Sequence, residues 1–290
     1  MQTIERLDPL RSAVDALRAD GPLALVPTMG ALHEGHLALV RAARGQAAHV
    51  AVSIFVNPLQ FGPAEDLAAY PRQLERDLDL LRGEGVSLAW TPTVEVMYPA
   101  GYATNISVAG VSDGLCGASR PGHFDGVATV VNKLFNQVRP DMAFFGEKDW
   151  QQLAVIRRMA RDLDLLYPRA DAIIGVPTVR ETDDLAMSSR NAYLSAEQRA
   201  QAAALPRAMR AAIAAIEAGA DIPSSLAALN AALLAGGFAS VDYAELRDAD
   251  TLALLDTIGA APARLLVAAR IGKARLIDNM AVAGRSGLPA

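Results

Sequence analysis

Two histidines, three positions apart, follow an apolar run that has the composition of a buried strand. The run covers residues 23–27, and His33 and His36 open the amphipathic segment after it. Where a helix begins just after a strand, its first backbone N–H groups and the positive end of its dipole both point towards the end of that strand. Imidazole donors added there suit a triphosphate and the charge that develops as pyrophosphate leaves. The spacing predicts a phosphate site, with a surface pair or a weak metal site as open alternatives.

A lysine follows a second predicted strand. Lys148 lies between the apolar run 142–145 and a helical pattern over 149–165, for which Asp149 is the predicted N-cap. A cation at the carboxyl end of a parallel strand can stabilise charge on a phosphorus that is being transferred. The position therefore predicts a functional lysine, although most loop lysines are simply solvated.

Neutral amides and a polar loop complete the set of residues that could do chemistry. Asn57 and Gln60 follow the predicted strand 49–56, where a turn that starts with Asn-Pro is the structural alternative. The segment AMSSR at 186–190 offers the hydroxyls of Ser188 and Ser189 and the charge of Arg190 to a phosphate. Taken alone, such a segment is typical of a solvated loop.

Elements of alternating type must position these residues. The apolar patterns predict strands at 23–27, 49–56, 86–90, 142–145 and 172–176, with helices at 66–82, 127–138 and 149–165. Strands that alternate with helices indicate an α/β domain with a parallel sheet, which binds ligands at the carboxyl ends of its strands.

The pattern changes near Pro177. Alanine-rich helices are predicted at 195–219 and 224–234, followed by strands at 240–246, 264–271 and 274–280. We therefore predict a first domain over 1–178 and a smaller α+β domain over 179–290.

Composition limits the class of protein. The formal charge of the 290 residues is −5 and no basic stripe is visible, which argues against a nucleic-acid partner. No segment is apolar enough to span a membrane, and the N-terminus lacks the apolar core of a signal sequence. The single cysteine, Cys116, excludes an intrachain disulfide and fits a reducing cytoplasm. We expect a soluble cytoplasmic protein.

Seven segments spread over nearly the whole chain carry further motifs. They are PTMGALHEGH at 27–36, FVNPLQFG at 55–62, Asp66 with Tyr70-Pro71-Arg72, RPGHFDGVATVVNKLF at 120–135, PDMAFFGEKDWQQL at 140–153, VPTVRETDDLAMSSRN at 176–191 and AARIGKARLIDN at 268–279. In this order the set resembles the pantothenate synthetase family. The first motif also resembles the His-x-Gly-His signature of the nucleotidyltransferase superfamily, which includes class I aminoacyl-tRNA synthetases. The 186–190 segment stands where that superfamily carries Lys-Met-Ser-Lys-Ser, but it lacks the first lysine.

The resemblance implies a reaction, a fold and a set of functional residues. Pantoate and ATP would give pantoyl-adenylate and pyrophosphate, and β-alanine would then displace AMP. The fold would be a Rossmann-like domain with a smaller, lid-like C-terminal domain, in a homodimer that uses Mg²⁺ with ATP. The implied catalytic residues are His33, His36, Lys148 and Arg190. The same four residues are expected to bind ATP, together with Met29, Gly146, Asp149, Val176, Met187, Ser188 and Ser189. Pantoate would be bound by Asn57, Gln60 and Gln152, and Asp77 is a weaker candidate for a magnesium ligand.

Three positions depart from the family pattern. Asp125 stands where the family is variable, Trp150 replaces a smaller aromatic residue, and Asp184 stands where glycine is common just before the phosphate loop. We expect Asp184 to stiffen that loop, and we expect the 180–191 segment to shield the activated intermediate from water.

Three rival interpretations remain open from the sequence. The first is another adenylyltransferase or a truncated aminoacyl-tRNA synthetase, against which the acidic balance argues. The second is a non-catalytic nucleotide-binding regulator, which should tolerate loss of His36, Lys148 or Arg190, although all three are present. The third is a zinc site made by His33, His36 and a further ligand such as His123.

Overall fold

The computed structural model describes residues 1–63, 65 and 67–284. Its backbone divides into two compact units. The first unit consists of Met1–Glu147 and Gln152–Pro177, and the second of Lys148–Gln151 and the chain from Thr178 onward. The short segment Lys148–Gln151, which the sequence analysis assigned to the first domain, thus groups with the second unit.

The first unit is built on a six-stranded parallel sheet. Its strands are β1 Gln2–Ile4, β2 Leu23–Thr28, β3 His49–Ile54, β4 Leu88–Trp90, β5 Met142–Gly146 and β6 Ile173–Val176. They lie in the order β1-β4-β3-β2-β5-β6, and each neighbouring pair is parallel. The predicted α/β class with a parallel sheet is confirmed. From β2 the chain builds outward in one direction through β3 and β4, and in the other through β5 and β6. The strand order therefore reverses between β2 and β5, the point where such sheets form a ligand crevice.

Seven helices accompany this sheet within the described residues. They are α1 Leu7–Asp20, α2 Glu34–Arg44, α3 Leu74–Gly83, α4 Val94–Met97, α5 Leu115–Ser119, α6 His123–Val138 and α7 Trp150–Asp162. The core contains the apolar side chains of the central strands, such as Val26, Val52 and Phe144, together with Leu81 of α3. This packing fixes the carboxyl ends of the strands, which carry most of the site residues predicted in this unit.

Several predicted boundaries were wrong. The helix expected over 66–82 begins only at Leu74. Pro71 interrupts the predicted helix, because it disfavours a helical conformation in the residue before it. Asp66 itself lies outside the described residues. The helix expected over 149–165 is a 3-10 turn at Glu147–Asp149 followed by α7, which ends at Asp162. The structure also contains β1 and α1, which the sequence analysis missed because charged and apolar residues are mixed over the first twenty positions.

The second unit combines helices with an antiparallel sheet. Its helices are α8 Ala196–Ala202, α9 Ala204–Glu217 and α10 Ile222–Ala235, and its strands are β7 Ser240–Asp248, β8 Ala263–Ile271 and β9 Ala274–Val282. The strands lie in sequence order, which confirms the smaller α+β part. The single helix predicted over 195–219 is wrong: it is interrupted at Ala203, because Pro206 has no N–H and its ring opposes the carbonyl of Ala202.

No helix in the described part of the chain is long and apolar enough to cross a membrane.

Candidate active site

Most of the predicted residues of the first unit lie at one edge of the parallel sheet. Four adjacent strands, β3, β2, β5 and β6, are parallel, so their carboxyl ends meet at this edge. The predicted residues that follow or end these strands are Asn57 and Gln60 after β3, Met29, His33 and His36 after β2, Gly146 at the end of β5, and Val176 at the end of β6. Gln152 lies half-buried in the first turn of α7. The sheet therefore brings five of the predicted nucleotide residues and two of the predicted pantoate residues to one edge.

His33 and His36 form a reciprocal cap at the start of α2. The Gly35 N–H donates to His33 Nδ1 at 3.1 Å, and the His33 N–H donates to His36 Nδ1 at 3.3 Å. A backbone N–H can only donate, so neither Nδ1 carries a proton, and in the neutral rings the proton is on Nε2. The two rings are 4.1 Å apart between centroids. The backbone itself thus selects the tautomer in which both imidazoles are N–H donors through Nε2.

The loop in front of the histidines is held by Asp77 of α3. This carboxylate is 1% exposed. Its two oxygens accept the N–H groups of Ala31 and Leu32, both at 2.8 Å. Gly30 has φ +81°, and a Cβ there would lie 3.0 Å from Asp77 Oδ2. In the structure Asp77 therefore shapes the backbone that presents the histidines.

Asn57 and Gln60 form a buried amide network in the 3-10 turn Pro58–Gln60. The Asn57 side chain accepts from the Leu59 N–H at 3.2 Å and from the Tyr98 hydroxyl at 2.8 Å. It donates to the Gly126 carbonyl at 3.0 Å and to Gln60 Oε1 at 3.1 Å. All the hydrogen-bonding positions of the Asn57 amide are used within the protein, whereas Gln60 Nε2 meets Met29 Sδ at 2.9 Å. Asn57 is thus a support for Gln60.

A cluster of charged side chains, which the sequence did not assign to the site, holds the turn Pro58–Gln60 through its backbone. The carbonyl of Gln60 accepts from His123 Nδ1 at 2.8 Å and from Arg120 Nη2 at 3.3 Å. Arg120 also makes a bidentate ion pair with Glu65, at 2.6 and 2.7 Å. Burial alone would raise the pKa of Glu65, but the hydrogen bonds and charge of Arg120 outweigh it and hold that pKa below its ordinary value. The ion pair is therefore present at neutral pH and is lost only as the pH falls through the lowered pKa.

The same cluster argues against the zinc interpretation. Both ring nitrogens of His123 already lie within hydrogen-bonding distance of protein atoms, Nδ1 at the Gln60 carbonyl and Nε2 at Arg120 Nη1, 2.9 Å away. Over the described ranges no group of three histidine, cysteine or acidic side chains could hold a metal ion. Each oxygen of the Asp77 carboxylate accepts one backbone N–H, and Mg²⁺ is usually held by one or two carboxylates together with substrate phosphates and water. The role of Asp77 near magnesium stays a prediction.

Lys148 and its neighbours belong to the second unit and are held by its sheet. Asn279 of β9 donates to the Lys148 carbonyl at 2.8 Å. Trp150 donates through Nε1 to the Ala249 carbonyl at 2.9 Å, and the Arg264 guanidinium lies over its ring at 3.4 Å. Lys148 Nζ is 3.9 Å from Asp149 Oδ2. Asn279 is thus a supporting residue that only its place in the 268–279 motif could have suggested.

The segment with Met187, Ser188, Ser189 and Arg190 is held within the second unit by hydrogen bonds and by ion pairs of the residues around it. Ser188 caps the 3-10 helix Ser189–Tyr193 by accepting the Arg190 N–H, and the Met187 N–H donates to Val179. Arg180 forms a bidentate ion pair with Asp278 at 2.7 and 2.9 Å. Three further contacts brace the loop, and they join Arg199 to Glu181 and Asp183, and Arg210 to Asp184. Arginine hydrogen bonds hold the pKa values of Asp183 and Asp184 below their ordinary value, so these contacts are charged at neutral pH.

Asp184 has a backbone conformation that glycine adopts more readily than other residues. Its φ is +70°, in the left-handed region that most side chains avoid but aspartate tolerates better than most residues. Its carboxylate contacts Arg210 at 2.5 Å and Arg180 at 3.7 Å. The departure from the family pattern therefore adds two ion pairs to the loop.

Comparison with known proteins finds relatives that align along nearly the whole chain. A family model described as pantoate-β-alanine ligase matches residues 2–281. A pantothenate synthetase of Novosphingobium aromaticivorans is 70% identical over 283 residues, which make up 97% of this chain and 99% of that protein. The crystal structure of pantothenate synthetase from Thermus thermophilus is 49% identical, with a TM-score of 0.88 over 97% of this chain and 99% of its own. A pantoate-β-alanine ligase from Francisella tularensis, solved with β-γ ATP and β-alanine, is 32% identical, with a TM-score of 0.81 and 97% coverage of each chain.

Proposed function

The chain belongs to the pantoate-β-alanine ligase family, and from this premise we propose how its residues carry out the reaction of that family. The enzyme condenses pantoate with β-alanine at the expense of ATP, through a pantoyl-adenylate, and releases AMP and pyrophosphate. The observation that best supports our assignment of residues is that the imidazole pair follows β2 and the amide pair follows β3, two adjacent parallel strands whose carboxyl ends lie at the same edge of the sheet.

In the first step a carboxylate oxygen of pantoate attacks the α-phosphorus of ATP. A bond forms between that oxygen and phosphorus, and the bond to the oxygen that bridges to the β-phosphorus breaks, so pyrophosphate leaves with the electron pair. His33 and His36 donate through Nε2 to the phosphate oxygens on which charge develops. Because both rings are neutral donors, they can do this without transferring a proton.

Pantoate is held by the amides of Gln60 and Gln152, with Asn57 behind Gln60. An arginine pair would orient the carboxylate strongly but would also withdraw electron density from the attacking oxygen. Neutral amide donors orient the group by weaker hydrogen bonds and leave it more nucleophilic. This role predicts that Gln152→Ala raises the KM for pantoate; an unchanged KM would remove Gln152 from the pantoate site.

In the second unit, Lys148, Ser188, Ser189 and Arg190 are proposed to add donors to the phosphates of ATP. Met29, Gly146, Asp149, Val176 and Met187 are proposed to line the nucleotide. We assign ATP and pantoate binding to residues 1–178 and a lid-like role to residues 179–290, as the resemblance implies. Lys148→Ala should then slow adenylation by about 100-fold or more, the scale for losing one transition-state donor.

ATP is proposed to enter as its Mg²⁺ complex. The ion would be coordinated mainly by phosphate oxygens and water, which agrees with a carboxylate at Asp77 that is already hydrogen-bonded to the backbone. The homodimer and the cytoplasmic location belong to the same proposal and rest on the resemblance to the family. Sedimentation of the purified protein tests the dimer.

In the second step the amine of β-alanine attacks the acyl carbon of the adenylate. A carbon–nitrogen bond forms, the carbon–oxygen bond to AMP breaks, and the amine loses a proton. The fate of ATP with each combination of substrates tests the whole assignment. AMP and pantothenate should form together only when ATP, pantoate and β-alanine are all present. AMP transfer to a phosphate acceptor, with no requirement for β-alanine, would indicate a different adenylyltransferase.

A further inference from the structure

Tyr98, directly after α4, is connected to the amide network although it lies 41 positions from Asn57 in the chain. Its ring packs between Phe55 and Tyr102, with centroids 6.1 and 5.0 Å away. Its hydroxyl lies 2.8 Å from Asn57 Oδ1. Burial, with a smaller contribution from Tyr102, raises the pKa of Tyr98, so the hydroxyl keeps its proton at working pH.

Two backbone groups identify which atom of the Asn57 amide is the oxygen and which is the nitrogen. The Leu59 N–H can only donate, so the atom 3.2 Å from it must be the amide oxygen. The Gly126 carbonyl can only accept, so the atom 3.0 Å from it must be the amide nitrogen. The Tyr98 hydroxyl faces the oxygen and must therefore donate to it. An exchanged assignment of the two amide atoms would break both backbone contacts.

The orientation of the Asn57 amide determines the orientation of the Gln60 amide. The second N–H of Asn57 points at the Gln60 side chain 3.1 Å away, which must present its oxygen there. The Gln60 nitrogen is then at the other end of the amide, 2.9 Å from Met29 Sδ. A thioether sulfur is only a weak acceptor, so a carboxylate or hydroxyl oxygen of a ligand would be a better partner for these N–H groups.

We propose that Tyr98 is a positioning residue of the pantoate site, which acts through Asn57 to keep the Gln60 amide with its N–H groups, and not its carbonyl, available to the substrate oxygen. The proposal rests on the assignment of Gln60 to pantoate made above. A carbonyl turned towards an anionic carboxylate would repel it. The fraction of enzyme with the correct amide orientation therefore sets the apparent affinity for pantoate.

The test is the change Tyr98→Phe, which removes the hydroxyl and keeps the ring. The KM for pantoate should rise roughly three- to tenfold, the scale for one hydrogen bond, while the KM for ATP and the kcat at saturating pantoate stay within about twofold. Tyr102→Phe is the matched control, because it removes the same group from the neighbouring ring, and should leave all three constants unchanged. An unchanged pantoate KM in Tyr98→Phe would overturn the proposal, as would an equal rise in Tyr102→Phe.

A double-mutant cycle with Gln60→Ala separates positioning from general destabilisation. Titration of pantoate into the enzyme with a non-hydrolysable ATP analogue measures the dissociation constant in each background. If Tyr98 acts through Gln60, Tyr98→Phe should have no further effect once Gln60 is alanine. A penalty that persists in that background contradicts the proposal. Where the Gln60→Ala proteins bind too weakly to titrate, the comparison of Tyr98→Phe with Tyr102→Phe decides alone.

The same data distinguish this inference from the proposed function. If Gln60→Ala leaves pantoate affinity unchanged, the assignment of Gln60 itself is wrong. If Gln60→Ala weakens pantoate binding and Tyr98→Phe does not, the assignment stands and the positioning role of Tyr98 fails.

Discussion

At the scale of single residues, the histidine pair uses different atoms for structure and for chemistry. Each Nδ1 accepts a backbone N–H at the start of α2, so the proton of each neutral ring is on Nε2. Removal of either ring therefore has two separable consequences, one for helix capping and one for catalysis.

Two substitutions at His33 separate these consequences. Asparagine is a favourable N-cap and can replace the Nδ1 acceptor, whereas alanine cannot. Both His33→Asn and His33→Ala should slow adenylation by about 100-fold or more, but only His33→Ala should lose about 1 kcal/mol of unfolding free energy. Pre-steady-state adenylation rates and urea unfolding measure the two effects. A near wild-type rate in His33→Asn would show that this imidazole serves the helix alone.

Asp77 allows the structural and the metal interpretation to be compared directly. In Asp77→Asn one acceptor oxygen becomes an N–H₂ group that opposes the N–H of Ala31 or Leu32, at a cost of about 1–3 kcal/mol. We expect lower stability and a lower kcat because the loop before His33 is disturbed, with no change in the Mg²⁺ concentration that gives half-maximal activity. A severalfold higher Mg²⁺ requirement would instead support a ligand role for Asp77.

At the scale of elements, the 3-10 turn Pro58–Gln60 and helix α6 approach so closely that only glycine fits between them. A Cβ on Gly126 would lie 2.3 Å from the Leu59 carbonyl oxygen and 2.7 Å from the Gln60 N. These are backbone atoms, so a larger residue must move the whole turn. The Gly126 carbonyl also fixes the Asn57 amide, so such a movement reaches Gln60.

Gly126→Ala should therefore raise the KM for pantoate at least tenfold, since it displaces the turn that carries Gln60. Gly83→Ala is the control: Gly83 is also helical, it is exposed, and a Cβ there meets nothing within 4 Å. This second change should leave the kinetics unaltered and should not destabilise the protein. Equal pantoate KM values in the two variants would refute the close-approach argument.

The elements of the fold were more predictable from the sequence than the contacts that support the site. Strand–helix alternation predicted the parallel sheet and the order of its motifs, because apolar runs bounded by polar turns are local signals. The supports of the site were not predictable in this way. Tyr98 and Arg120 reach the Asn57–Gln60 turn from distant positions, and no local pattern encodes that contact. The break at Ala203 was signalled by Pro206 and was overlooked beside the strong helical preference of the surrounding alanines.

At the scale of the molecule, the loop expected to shield the intermediate is braced against the second unit. Arg180 forms an ion pair with Asp278 of β9, whose side chain is completely buried. Arg199 pairs with Glu181 and Asp183, and Arg210 pairs with Asp184. A loop so constrained behaves as a part of its unit.

Arg180→Met and Arg210→Met should differ sharply in stability. Loss of Arg180 leaves the buried Asp278 carboxylate without its charged partner, at a cost of about 3–5 kcal/mol. Arg210 is 62% exposed, so loss of its pair with Asp184 should cost about 1 kcal/mol or less. Denaturant unfolding measures both. Similar losses in the two variants would mean that the Asp278 pair does not hold the loop.

The formation of a pantoyl-adenylate is tested most directly by isotope exchange between pyrophosphate and ATP in the presence of pantoate and the absence of β-alanine. Labelled pyrophosphate should enter ATP only when pantoate is present, and Gln60→Ala should shift the pantoate dependence to higher concentration. Exchange that does not require pantoate, or that appears only when β-alanine is added, would contradict a pantoyl-adenylate formed at this edge of the sheet.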